Sequence, residues 1–486
     1  MTWKDTVEPA LSRLPVVDRP DGHVSFNNKF MWTGAVLLVY FALTNVQLWG
    51  LGTGGQGFGY FRTIVAGAQG SILQLGIGPI VTASITLQLL KGANLLGLDT
   101  ESDPRDQVLY QGLQKMLVVF MTLLTAAPMA FTGAFLQPSQ ALASALGVSV
   151  FVVQVLMYLQ IVVGGLIIVY LDEVISKWGL GSGVGLFIVA GVSQQLIGAV
   201  FATEWLTGTS GILAAWVGLL TGETSVESIF TAAGLEQMLF GPLEVAAIAT
   251  TLFIFGLVVF AESVRVEIPL NHARVSGAAG RFPVKLIYAS VLPMIIVRSV
   301  QANIQIMGRA LDSTVGLPAF IGVYSGGEPV SGLMYFLNPI RAPQDWMWFL
   351  GGTSAEVWEI AIRLGMDFLI MVGGGAIAAV FWVEATGMGS ASSAKQIQNS
   401  GMQIPGFRRN PQVIEKVLDR YIPHVTVLGG ALVGFLAVTA NLIGTIGQVS
   451  GIGLLLAVSI TYKLYEEIAE EKMMEMHPMM RQLFNE

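Results

Sequence analysis

Ten apolar runs, separated by polar connections, dominate the hydrophobic pattern of this chain. They occupy residues 31–49, 72–90, 116–136, 148–171, 184–203, 242–261, 285–304, 363–384, 424–444 and 449–462. Nine of the runs, with 19 to 24 residues, approximate the ~20 residues that a helix needs to cross a hydrocarbon core about 30 Å thick, and the last has 14. The pattern therefore predicts an all-α integral membrane protein with ten transmembrane helices.

Positive charge lies almost entirely on alternate connections between these runs. Of the 25 Lys and Arg residues, 20 fall on the connections of one side and 5 on the other. Because Lys and Arg are retained on the cytoplasmic side, this bias predicts that both termini are cytoplasmic. The first run is too long for a signal peptide and no small-residue cleavage site follows it, so we expect no processing.

The composition agrees with a protein that lies mostly in lipid. Hydrophobic residues make up 53% of the chain and charged residues 12%, about half the charged fraction of a typical soluble protein. There is no cysteine, which excludes disulfides and thiolate metal sites. The net charge of −7, with only 10 Lys among the 25 cations, suits a halophile, because a salty cytoplasm screens charge repulsion. Compositional drift is the alternative.

A glycine-rich segment follows the first run. Six of the ten residues from 50 to 59 are glycine, and residues 60–68 are half apolar. This stretch is too short and too polar to span the membrane, yet too apolar for an ordinary outer loop. Irregular backbone is tolerated at membrane depth only inside protein or a wet cavity. We therefore interpret the stretch as a re-entrant half-helix, with an external linker as the alternative.

The ten runs divide into two sets of five that begin on opposite sides of the membrane. That count is typical of an inverted repeat, and it predicts two pseudo-symmetric five-helix halves, residues 1–210 and 240–486. Pro79 in the second run and Pro293 in the seventh lie inside hydrophobic runs at corresponding positions. We expect both helices to be broken by these prolines.

The spans contain almost no ionisable groups. Arg298 and Glu384 are interpreted as lying toward helix ends, and the four histidines fall in loops or at span edges. Ion-coupled transporters and proton pumps usually need carboxylates or histidines at membrane depth, and the sequence has no protease, hydrolase or phosphate-binding motif. We therefore expect no enzyme activity, no cofactor and no metal site. An uncharged bundle rich in glycine suits a passive pathway whose hydrophobic constriction seals by dewetting.

Several patterned segments carry a family resemblance. Residues 71–90 read SILQLGIGPIVTASITLQLL, and residues 170–187 read YLDEVISKWGLGSGVGLF. Agreement continues at VEIPL (266–270), FWVEATG (381–387), IPGFRRN (404–410) and RYIP (420–423). Together these segments closely resemble the SecY family, the central channels of the Sec protein translocase, with the archaeal branch closest. The resemblance covers essentially the whole chain and implies a protein-conducting channel.

The resemblance also implies a pore that narrows to a set of side chains that we call the aliphatic ring. Its six members here are Ile77, Val81, Val184, Ile188, Ile295 and Leu456. Ile77 and Val81 are four residues apart, as are Val184 and Ile188, so each pair lies on one helix face. For any single aliphatic residue in a span, ordinary packing or lipid contact is the alternative, and only the resemblance favours the ring.

Two gating elements are implied in the same way. Residues 59–69 look like the family's plug, a short re-entrant helix that blocks the closed pore from outside. The plug residues that would press on the ring are Tyr60, Phe61, Ile64 and Val65.

Thr82 and Asn303 match polar positions of a lateral gate to lipid, between spans two and three and spans seven and eight. The family often has an acidic residue on the third span, and in this chain Thr125 lies near that position. On the seventh span, the Arg298 side chain is expected to snorkel outward.

Two basic loops, residues 262–284 and 387–422, resemble the ribosome-docking loops of the family and are predicted to be cytoplasmic. Their candidate contacts are Arg274, Arg281, Lys285, Arg408 and Arg409. Such cations could meet ribosomal RNA phosphates in a salt-dependent way, although they could instead serve only as topology anchors. The implied partners are the SecE and Sec-beta subunits, the translating ribosome, polypeptides that carry a signal sequence, and membrane lipid.

The sequence thus predicts a channel subunit in the cytoplasmic membrane of a halophilic archaeon. It would pass unfolded polypeptides outward and release apolar segments sideways into lipid. A secondary transporter with a five-plus-five inverted repeat is the alternative, but it would need a charged or ion-binding site at the midplane. A membrane-embedded scaffold is a third alternative, and it would not need the glycine-rich half-helix.

Overall fold

A computed structural model of the chain describes most of its residues. The described residues are 16–20, 22, 24–52, 67–68, 70–92, 95–98, 103–132, 135–203, 211–222, 232–241, 243–272, 279–287, 291–325, 328–350, 355–399, 402–403 and 411–476. Most of them are helical. We call the side that the charge pattern predicts to be external the outer side, and the opposite side the inner side.

Helices account for every predicted span of the first half. In chain order they are α1 (Phe26–Thr44), α2 (Gly78–Gly92), α3 (Pro104–Phe131), the short α4 (Gln140–Leu146), α5 (Val150–Trp178) and α6 (Gly183–Phe201). Helix α5 packs on α1 and on α3, and α3 packs on α2. Two short helices, α7 (Ile212–Thr221) and α8 (Ala232–Phe240), lie between the fifth span and the sixth.

The second half supplies the other five spans. Its helices are α9 (Val245–Ser263), α10 (Leu292–Val315), α11 (Leu333–Phe336), α12 (Val357–Phe368), α13 (Gly374–Ala385), α14 (Ser390–Asn399), α15 (Pro411–Leu418), α16 (Ile422–Ile443) and α17 (Gly451–Met476). A π-helical segment, Leu369–Gly373, joins α12 to α13, so the two helices form the eighth span together.

All ten predicted runs overlap helices among the described residues. Six helical stretches among the described residues are long and apolar enough to cross a membrane by length and composition. They contain α3, α5, α6, α9, α12 with α13, and α16. The other four runs lie on α1, α2, α10 and α17. The predicted helical membrane class is confirmed.

Pro79 and Pro293 begin helices, and the expectation that they break them was wrong. Each proline is the second residue of its helix, α2 or α10. The first N–H groups of a helix have no intrahelical partner, so a proline there removes no hydrogen bond. Residues 72–77, at the start of the second run, lie before this helix start and form turns.

Short strands form in the loops, where the sequence pattern did not predict them. Strands β1 (Arg265–His272) and β2 (Ala279–Lys285) make an antiparallel hairpin in the first basic loop. Strands β3 (Val323–Ser325) and β4 (Glu328–Ser331) make a hairpin on the outer side. Strand β5 (Met402–Gln403), from the second basic loop, pairs with the end of β1. The two basic loops therefore share one three-stranded sheet.

Two main groups of helix contacts join the halves among the described residues. At one of them α6 packs on α17. At the other, which we call the front seam, α2 packs on α10 and α13, and α3 packs on α10. A large buried hydrophobic cluster draws members from both halves, including α1, α2, α5 and α6 on one side and α9, α10, α16 and α17 on the other. This cluster is the shared core of the molecule.

Candidate functional site

The aliphatic ring lies in this shared core. Its buried members are Ile77, Ile188, Ile295 and Leu456, and its half-buried members are Val81 and Val184. They are carried by the turn before α2 and by α2, α6, α10 and α17. The Val81 N–H donates to the Ile77 carbonyl at 3.0 Å, so this pair keeps helical spacing although Ile77 precedes the helix. The structure places all six predicted side chains in one cluster between the halves.

A cavity of about 200 Å³ borders the ring toward the inner side. Ring residues Val184, Ile188 and Leu456 line it, and so do Lys463 and Glu467. Leu456, Lys463 and Glu467 follow one another along α17 at helical spacing, so the cavity wall changes from apolar to charged away from the ring. The ring closes the apolar end of a pocket that becomes polar toward the inner side.

The family-like segment before and in α6 explains how that helix is positioned. A carboxylate oxygen of Asp172 accepts a hydrogen bond from the Val184 N–H at 2.9 Å, which satisfies one of the free donors at the start of α6. Gly183 is required beside it, because a Cβ at this position would lie 2.5 Å from the Asp172 Oδ1. These two residues therefore fix the helix that carries two members of the ring.

The predicted plug residues Tyr60, Phe61, Ile64 and Val65 lie outside the described residues, but the two ends of their segment are described. The Leu48 N–H donates to the Gly70 carbonyl at 2.8 Å, and the Ile72 N–H donates to the Val46 carbonyl at 3.0 Å. These two hydrogen bonds hold residues 46–48 beside residues 70–72, so the described ends of the segment lie next to each other. Gly50 has φ 101°, a conformation that glycine adopts without strain.

Thr82 and Asn303 lie on helices of the front seam but are not hydrogen-bonded to each other in the described structure. The Thr82 hydroxyl donates to the Gly78 carbonyl of its own helix at 2.9 Å, and Asn303 is exposed. Thr125 likewise donates to the Met121 carbonyl of α3. A hydrogen bond from the Gln114 amide to the Ser84 hydroxyl, at 2.9 Å, joins α3 to α2.

Arg298 does not snorkel outward, and the expectation that it does was wrong. Its side chain is 0% exposed, and its Nη1 lies 3.3 Å from Oδ1 of Asp367, whose side chain is 1% exposed. The same nitrogen also donates to the side-chain oxygen of Gln301. Ionic groups are stable inside a bundle only when they are paired. Asp367 was missed because a lone acid in an apolar run gives no sign of a partner 69 residues away.

Further polar side chains of α10 attach it to the outer segment that follows. Gln301 donates to the Leu337 carbonyl at 2.7 Å, and Gln305 donates to the Met334 carbonyl at 3.1 Å. From α12, Arg363 donates to the carbonyls of residues 338 and 339 at 3.1 Å each. Helix α10, helix α12 and residues 333–339 therefore form one hydrogen-bonded unit.

The predicted docking residues lie in the two basic loops or directly after the first of them, and one, Lys285, is described with its side chain. Arg274, Arg408 and Arg409 lie outside the described residues, and Arg281 is described only by its backbone in β2, opposite Pro269. The Lys285 ammonium lies 2.8 Å from a carboxylate oxygen of Glu466 and 5.8 Å from the centroid of the Tyr462 ring. Lys285 thus connects β2 to α17.

Comparison with known proteins gives consistent matches over the full length. The SecY family profile matches residues 71–465, and the profile of the plug domain of Sec61p matches residues 38–70. The protein translocase subunit SecY of Haloferax volcanii is 63% identical and covers 100% of this chain and 99% of its own length. The corresponding subunit of Halobacterium salinarum is 60% identical, with the same coverage.

Solved structures agree with this similarity. One described as a protein conducting channel is 37% identical, covers 97% of this chain and 98% of its own, and superposes with a TM-score of 0.77. Sec61 in the canine ribosome–channel complex from the endoplasmic reticulum is also 37% identical at the same coverage, with a TM-score of 0.75. The similarity therefore extends from sequence to three-dimensional arrangement.

Proposed function

Because this chain belongs to the SecY family and is a multi-pass, protein-conducting channel of the Sec translocon, we propose that the aliphatic ring is the seal of its pore. The observation that carries the proposal is the position of the ring: four of its side chains, from both halves, lie in one buried cluster, the other two pack against that cluster, and a pocket opens beside them. An apolar constriction excludes ions because water leaves it.

Opening requires the two halves to move apart around the ring. Aliphatic side chains have no fixed partners, so they repack around a passing polypeptide at a low free-energy cost compared with ion pairs. We propose that the pocket bordered by Lys463 and Glu467 is the inner entrance, and that the front seam is the exit for apolar segments into lipid. A signal sequence would shift the equilibrium by binding better to the open seam.

The remaining elements have roles that the family suggests. Residues 59–69 would block the pore from outside. The hydrogen bonds between residues 46–48 and residues 70–72 support this role, because they hold the two ends of the segment side by side. Arg274, Arg281, Arg408 and Arg409 would contact ribosomal RNA, with Lys285 holding the hairpin to α17. SecE and Sec-beta would complete the complex in the cytoplasmic membrane, with both termini on the cytoplasmic side.

The experiment that tests the seal replaces ring residues with polar ones. Ile77→Asn together with Val81→Asn would hydrate the constriction, so sealed vesicles that contain the variant complex should leak ions. Ile377→Asn is the matched control, because Ile377 is 73% exposed on α13, away from the core. Equal conductance for the double variant, the control and the native protein would show that these residues do not form the seal.

A further inference from the structure

Two neighbouring side chains on the outer part of α10 contact the first half. Ile306 packs against a cluster whose buried members all come from the first half. The guanidinium carbon of Arg309 lies 4.8 Å from the centroid of the Phe135 ring, which follows α3. Because Ile306 and Arg309 are three residues apart on a helix, they share one face. This face of α10 is the outer part of the front seam.

Burial strengthens the contact between Arg309 and Phe135. Only 7% of Arg309 and 3% of Phe135 is exposed, so little water competes with the ring for the cation. Cation–π attraction rises when the cation is desolvated. Salt also weakens a buried contact less than a surface ion pair, because mobile ions do not enter the site. The contact therefore persists in the concentrated salt that the composition suggests.

Both partners are held firmly in their own halves. Phe135 belongs to the buried first-half cluster with Leu136 and Met157. Next to Arg309, Gly308 lies against the outer hairpin, where an added Cβ would lie 2.6 Å from the hydroxyl of Tyr324. Burial is the main cause that raises the pKa of this tyrosine; the charge of Asp312 adds to the rise, and the charge of Arg309 opposes it.

Helix α10 is joined to the rest of the second half along the turns before Arg309. The pair formed by Arg298 and Asp367 joins it to α12, and Gln301 and Gln305 join it to residues 334–337. When the front seam opens, Arg309 therefore has to leave the Phe135 ring as part of a larger unit. Opening of the front seam therefore costs the free energy of the contact between Arg309 and Phe135.

We propose that Arg309 and Phe135 form an outer latch that holds the front seam closed and sets how readily it opens. The latch rests on the proposed function, because it assumes that this seam parts during transport. It is independent of Thr82 and Asn303, which are not bonded to each other among the described residues.

The test measures export by the whole complex in vesicles, with two substrates that differ only in the hydrophobic length of the signal sequence. Phe135→Leu removes the aromatic face and keeps an apolar side chain, whereas Arg309→Met keeps much of the packing and removes the charge. Each variant should export the weak-signal substrate about threefold to thirtyfold faster, which is the change in opening constant that a lost cation–π contact gives. Export of the strong-signal substrate should not change.

Three further variants separate a latch from a general loss of packing. Phe135→Tyr keeps an aromatic face and should export at the native rate. Arg341→Met removes an outer cation that pairs with Glu328 inside the second half, and it should also leave export unchanged. The double variant of Phe135→Leu and Arg309→Met should be no faster than the faster single variant, because both changes remove one contact.

A crosslink tests the same seam without relying on a gain in rate. The native chain has no cysteine, so Phe135→Cys with Arg309→Cys can be joined selectively by a short bismaleimide. The joined complex should export neither substrate, whereas the unjoined complex should export both. Export at the native rate after joining would overturn the latch, as would native weak-signal rates in both single variants. Failure of native vesicles to export either substrate would instead overturn the proposed function.

Discussion

Replacing Asp367 with asparagine would remove one charge from an ion pair that lies wholly inside the second half. The charged atoms of Arg298 and Asp367 are 3.3 Å apart, with 0% and 1% of the side chains exposed. At an effective dielectric constant of about 20, Coulomb's law gives an attraction of ~5 kcal/mol at this distance. The variant takes the charge of Asp367 away from a buried guanidinium, and loss of one partner of such a pair costs about 3–5 kcal/mol.

The double variant Arg298→Met with Asp367→Leu gives the opposite expectation. Both charges disappear, and apolar side chains of similar length fill the space, so most of the loss should be recovered. The single variants Arg298→Met and Asp367→Leu, measured beside this double variant, complete a cycle that isolates the coupling between the pair. The measurement is the unfolding free energy of the purified complex, followed by circular dichroism as a denaturing detergent is titrated into lipid micelles.

Two results would refute the importance of this pair. The first is a loss below about 1 kcal/mol for Asp367→Asn, which would mean that Arg298 finds water or another partner at no cost. The second is a double variant whose loss equals the sum of the single losses, which would mean that the two charges are not coupled. Ile377→Leu on the exposed face of α13 is a control that should change stability little.

Further predictions concern close packing and charge. Gly434→Ala should destabilise the protein by several kcal/mol, because a Cβ there would lie 2.2 Å from the Met371 carbonyl oxygen. Gly256→Ala should instead stabilise it by up to about 1 kcal/mol, because a Cβ there would have nothing within 4 Å. Thermal unfolding of both variants checks these two expectations. Gly50→Ala should loosen the outer loop, since φ is 101°, and protease digestion of the segment should then quicken. Arg408→Glu should weaken ribosome binding more at low salt than at high salt, as measured by cosedimentation; equal binding at all salt concentrations would favour the topology-anchor alternative.

The span pattern could be predicted because it depends on short-range features of the sequence, whereas the ring was implied by the resemblance to a family. Apolar runs of spanning length and the spacing of Ile77 with Val81 are visible in a few consecutive residues. The resemblance to a family then supplied the connection among residues that lie far apart in the chain, such as Val184 and Leu456. Periodicity alone could not bring those two together, because it carries no information about which helices pack.

The buried ion pair and the strands could not be predicted from the same features. Arg298 and Asp367 lie 69 residues apart, so no local pattern in the sequence links one to the other. Strand β5 has only two residues, and it forms because β1 offers a free edge in another loop. The prolines at the starts of α2 and α10 were misinterpreted because a hydrophobic run does not mark where its helix begins.

The most direct measurement asks whether a polypeptide passes through the aliphatic ring. Ile77→Cys in the cysteine-free complex is paired with a single cysteine placed along a stalled secretory chain, and Ile377→Cys on the exposed face of α13 is the matched control. A disulfide at position 77 for cysteines in the stretch expected to cross the membrane, and none at position 377, is the predicted result. Equal disulfide yield at both positions, or none at position 77 while the chain is held across the membrane, would contradict a polypeptide pore at this site.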